Sequence, residues 1–157
     1  MKAAALNEIK KELNTAEPER LLELCMRLAK FKKESKELLT YLLFESHNEP
    51  AYIENVKHDI DALFNELPKG NLYFVKKSLR KILRMVNRQI KYSGIKQTEV
   101  ELRIYFCARI NKATIQLDRS PVLFNLYQQQ LKKINSALAT LPEDLQYDYQ
   151  QELSELA

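Results

Sequence analysis

Glycine is nearly missing from this chain. It holds two, Gly70 and Gly94, where a globular protein of this size carries about eleven. Tight β-hairpins place Gly or Asn-Gly at positive φ, so the shortage argues against a multi-stranded β-protein. Cysteine is scarce as well. Cys25 and Cys107 stand alone, without CxxC or Cys/His spacing, and read as two buried, reduced thiols that act as small apolar side chains. No stretch reaches the roughly 18 apolar residues of a membrane span. The N-terminus carries Glu8, Lys10, Lys11 and Glu12 where a signal peptide would be apolar. A cytoplasmic protein with no membrane role is the expectation.

What remains favours helix throughout. At 45% hydrophobic and 29% charged residues, the composition is that of a folded protein, and residues 1–157 are expected to form a single helical domain. The first helix is predicted over 2–13. Pro18 fits the first turn of a second helix, capped by Glu17 or Thr15, with Leu21, Leu24, Cys25 and Leu28 inward. The polar run KFKKESKE predicts a turn or kink before a third helix that begins at Leu38 and ends near His47–Asn48. Pro50 opens a fourth helix, whose stripe is Ile53, Val56, Ile60, Leu63, Phe64 and Leu67.

The fifth helix is predicted over 71–92. It ends at Gly94 in a left-handed cap, with Ile95 packed back on the last turn. Thr98 and Glu101 have the spacing of a capping box at the start of the sixth helix, which carries Val100, Ile104, Cys107 and Ile110 inward. ATIQLD reads as a loop. Ser120-Pro121 starts the seventh helix, with Phe124, Tyr127, Leu131, Ile134 and Leu138 inward, and Thr140-Leu141-Pro142 opens a short last one bearing Leu145, Tyr149, Leu153 and Leu156. The fold class is therefore all-α: about eight antiparallel amphipathic helices in an irregular α–α array or helical bundle.

The stretches PERLLELCMRLAKFKKESKELLTYLLFE, LYFVKKSLRKILRMVNRQIKYSGIKQTEVELRIYFC and LQYDYQQEL resemble a family of small, all-helical, functionally uncharacterised bacterial proteins. The similarity runs from about Leu13 onward. It implies a bacterial cytosolic protein with an all-α fold, and no catalytic residues.

The fifth helix singles itself out by charge. Between Leu67 and Thr98 there are nine basic residues and no acidic one; the whole chain is +4, which leaves −5 for the rest. With Val75 as origin and ~100° per residue, Leu72, Val75, Leu79, Ile82, Leu83, Val86 and Ile90 fall between about −20° and +80°. Lys76, Lys77, Arg80, Lys81, Arg84, Arg88 and Lys91 fall between about 100° and 240°, with Tyr73 among them. Cations at i, i+4 repel by a few tenths of a kcal/mol per pair, and solvated helices usually mix signs. One expected source of relief is acidic groups of the chain or of a partner protein: Glu143, Asp144, Asp148, Glu152 and Glu155, or Glu54, Asp59, Asp61 and Glu66. The other is a polyanion whose phosphates follow the same face, with Tyr73 stacking on a base. The bland alternative is a solvated face with no partner.

Nothing else in the sequence carries chemistry. His47 and His58 lack HxxxH or HExxH spacing. Asp59 with Asp61, and Glu143 with Asp144, do not face each other on a helix and make poor acid–base dyads. Eight tyrosines accompany no tryptophan, and Tyr147 and Tyr149 are expected partly exposed on the acidic last helix. The sequence thus predicts a non-catalytic interaction or scaffold module without cofactor, metal or evident small-molecule substrate. Its contact surface is Lys76, Lys77, Arg80, Lys81, Arg84, Arg88, Lys91 and Tyr73. Its partner is another protein or a second copy, with nucleic acid as the alternative.

Overall fold

A computed structural model describes residues 1–156. Among these residues there are eight α-helices and no strand: α1 (Leu6–Thr15), α2 (Pro18–Phe31), α3 (Lys33–Thr40), α4 (Glu49–Asn65), α5 (Leu72–Ser93), α6 (Lys96–Lys112), α7 (Pro121–Leu138) and α8 (Glu143–Ser154). The array is all-α, as the glycine shortage and the helical spacing imply. Contacts divide the chain into two compact units, Met1–Leu43 and Phe44–Ala157.

In the first unit α1 starts at Leu6, later than expected, and runs to Thr15. Glu8 reaches back to accept from the Ala5 N–H at 2.8 Å. Pro18 occupies the first turn of α2, but neither expected cap acts there: Glu17 makes no side-chain cap bond, and the Thr15 hydroxyl donates to the Glu12 carbonyl. The polar run KFKKESKE holds the expected kink, but the third helix begins at Lys33 rather than Leu38. Only Lys32 is extended, and Lys33–Thr40 is helix, because Lys and Glu are strong helix formers and Lys33 meets Glu37 at 3.5 Å one turn on. Tyr41–Glu45 then continues as one widened π-type turn. α2 packs on α3, yet none of α1, α2 and α3 contains a buried residue. Cys25, expected to be buried, is exposed.

The second unit has an ordinary core centred on α6. Asn48 caps α4 by accepting from Ala51 N–H at 3.2 Å, with Pro50 in its first turn. Asn71 caps α5 through Tyr73 N–H at 2.9 Å, and Gly94 ends it at φ 68° with its N–H on the Ile90 carbonyl. Ser120 caps α7 through Leu123 N–H. α4, α5, α7 and α8 all pack on α6. Leu102, Arg103 and Phe106 are therefore buried there beside the expected Val100, Ile104, Cys107 and Ile110. Only its ends, at Lys96, Asn111 and Lys112, are exposed, so a one-sided stripe understated it.

Four local expectations fail in this unit. Thr98 and Glu101 form no capping box, because α6 begins two residues earlier at Lys96. The Thr98 hydroxyl donates instead to Glu49 at 2.6 Å, and Glu101 accepts from the Tyr149 hydroxyl at 2.7 Å. Ile95 is 44% exposed and Phe124 47% exposed, so neither packs inward. Tyr149, expected partly exposed, is buried, while Tyr147 is exposed.

A polar tie crosses this core. Buried Arg103 donates to Glu99 at 3.0 Å, Asn87 at 2.9 Å and Gln130 at 2.8 Å, linking α6 to α5 and α7. A guanidinium can span these acceptors because its donors are fixed in a fork. Burial opposes the charge on Glu99, but the hydrogen bonds from Lys96 and Arg103 outweigh it and lower the carboxyl's pKa.

Candidate interaction surface

The predicted fifth helix exists as one unbroken element of 22 residues. Val75, Leu79, Ile82, Val86 and Ile90 are buried on one side, each stabilising the unit by roughly 1.5–3 kcal/mol. That burial fixes the rotation of the helix and turns its cations away from the core. Lys77, Arg80, Lys81, Arg84 and Lys91 are exposed, and Lys76 and Arg88 half-buried. The segregation read from the sequence is thus the arrangement in space.

Intramolecular acids do not relieve this face. None of the seven cations joins an ion pair among the described residues. The fourth-helix acids are engaged elsewhere or stand apart: Glu54 meets Lys57 at 3.0 Å, and Asp61 meets Arg109 at 2.9 Å. The acidic last helix packs on α6, where Asp148, Glu152 and Glu155 join Glu101 and Lys57 around a cavity of 610 Å³. Burial there, and then the neighbouring Glu101 charge, raise the Glu152 carboxyl. This crowding of acids in one cleft, away from the seven cations, was not foreseen.

Tyr73 is 64% exposed, at the N-terminal end of the cationic helix. Beside it Phe74 is 51% exposed, the two rings meeting edge to face at 5.4 Å. Sequence projection placed Tyr73 among the charges; with Phe74 it forms an open aromatic pair.

A second feature near that end escaped the sequence reading. A cavity of 830 Å³ lies between the ends of α4 and α6, the start of α5 and the loop before α7. Lys69, Arg109, Lys112 and Arg119 line it, with Phe64 and Leu72 among its apolar wall, and no acid does. Arg109 lies over the Phe64 ring at 5.4 Å. Its Nε stands 2.9 Å from Asp61 but out of line for a hydrogen bond. Asp61 in turn accepts from the Tyr105 hydroxyl at 2.7 Å. Arg109, Lys112 and Arg119 are near one another in sequence, but Lys69 and the apolar wall come from elsewhere in the chain, so no single sequence window displays the cavity.

His47 and His58 are both exposed, and no group of three or more His, Cys, Asp or Glu among the described residues could hold a metal ion. No described helix is long and apolar enough to cross a membrane. No family model, curated protein or solved structure matches the chain.

Proposed function

We propose that this chain is a non-catalytic interaction module whose contact surface is the cationic face of α5, and that its partner is an acidic protein segment. The observation that carries this reading is that Lys76, Lys77, Arg80, Lys81, Arg84, Arg88 and Lys91 have no ion pair among the described residues. Carboxylates brought by a partner would offset their mutual repulsion and steer its approach.

A nucleic-acid partner is the second reading, favoured by the exposed Tyr73–Phe74 pair at one end of the same face. Aromatic rings beside a row of cations suit a single strand, whose bases stack while its phosphates release counterions. Anisotropy titrations with a labelled poly-glutamate peptide and a labelled single-stranded oligonucleotide, at low and moderate salt, separate the two. The module reading expects the peptide to bind and the R80E/R84E variant to lose it. Oligonucleotide binding that falls steeply with salt, without peptide binding, transfers the face to the second reading. Binding of neither probe at low salt overturns both.

A further inference from the structure

The first unit raises a separate question, independent of the cationic face. Within residues 1–43, Tyr41 is the one buried hydrophobic side chain. Leu6, Leu22, Leu28, Phe31 and Leu43 are each more than 60% exposed. Ile9, Leu13, Met26, Leu38 and Leu42 are each 38% or more exposed as well. A monomer ordinarily leaves apolar patches of only a few hundred Å² open. Helical units of about 40 residues usually need help from outside to be stable.

The arrangement on α2 says what covers it. Leu22, Cys25, Met26 and Ala29 follow one another at i, i+3, i+4 and i+7, so they form one stripe along the helix. Leu22 is 64% and Met26 45% exposed, Cys25 is exposed, and Ala29 is half-buried. Along one flank of the stripe stand Glu19, Glu23, Arg27 and Lys30, acids in the first half and bases in the second. Of these only Glu23 has an ion pair among the described residues, with Arg20 at 3.0 Å.

We propose that the open face of α2 pairs with α2 of a second copy of this chain, antiparallel about a two-fold axis between Cys25 and Met26. In that register Leu22 meets Ala29 of the second copy and Cys25 meets its Met26. Glu19 and Glu23 then face Lys30 and Arg27, twice over by symmetry. A two-fold interface must be complementary to itself, and this flank is so only in the antiparallel sense. In a parallel two-fold pair the flank would lie on opposite sides of the contact in the two copies, and its acids and bases would not face one another. An unrelated partner has no need of a charge pattern that inverts about the middle of its own apolar stripe.

The test uses the full chain. Light scattering after size exclusion is expected to give twice the chain mass at micromolar concentration. A short bismaleimide should join two chains through Cys25, since Cys107 is buried, and C25S should abolish the product. E19K/E23K should return the mass to that of one chain, and adding R27E/K30E to it should restore the dimer. All four positions are exposed, so circular dichroism should show unchanged helicity. A monomeric native chain, as expected if its own residues cover the stripe, overturns the proposal. So does a dimer that survives L22E/M26E, one that yields no Cys25 product, or one strengthened by E19K/E23K.

Discussion

The Tyr149 hydroxyl donates to the Glu101 carboxylate at 2.7 Å and accepts from the Gln97 amide at 2.9 Å, fastening α8 to the first turns of α6. The ring itself is buried. Tyr149→Phe keeps the packing and strands both partners, so it should cost about 1–2 kcal/mol. Denaturant unfolding followed by circular dichroism reads that loss as a lower midpoint at unchanged slope. An unchanged midpoint would show that water replaces the hydroxyl without cost.

The same phenol governs alkaline behaviour. Burial, with the Glu101 hydrogen bond, raises the Tyr149 pKa above its ordinary 10. Burial and Asp61 push Tyr105 up to about 12. Folded phenols keep their protons where unfolded ones lose them, so the native state binds more protons and stability falls as pH rises. That contribution is whole below pH 10 and declines above it, as the unfolded phenols ionise. Melting temperatures measured from pH 8 upward should show the decline, and Tyr105→Phe with Tyr149→Phe should flatten it.

Arg103 should be costly to remove. Replacing it with Ala leaves Glu99, Asn87 and Gln130 without their shared donor, and should destabilise by about 3–5 kcal/mol. Lys should recover little, because one ammonium cannot reproduce the fork. Thermal melts of the two variants against the native chain decide it; recovery with Lys would mean that charge alone matters.

Gly94 should be costly for a different reason. A Cβ there would meet nothing within 4 Å, but φ is 68°, a region that L-residues enter at about 1–2 kcal/mol. Gly94→Ala should lose about 1 kcal/mol, and Gly94→Asn less. Equal losses in urea melts would point to packing rather than to backbone conformation.

The fifth helix was legible because its signals are local: apolar and cationic residues at helical spacing, and a glycine where the chain must turn. The sixth was read poorly because its signals are not. Thr98 and Glu101 have the spacing of a cap, but Glu49 and Tyr149, each at least 48 residues away in sequence, engage them. Cys25 looked like a core residue because it lies in the middle of an apolar arc; spacing reveals that arc, not whether anything covers it. Both cavities draw their linings from several helices, so no window of sequence displays them. The seven cations could be placed on one face from sequence. Their lack of ion pairs within the chain could not.

The enclosure of α6 divides duties within residues 44–156. A helix buried over most of its length reaches outward only at its ends and where it lines the two cavities, so most of what the unit presents to its surroundings is written on the helices around it. α5 presents base, and α8 acid. Substitutions on those outer helices can therefore redirect which molecules the protein meets while the helix at its centre stays the same.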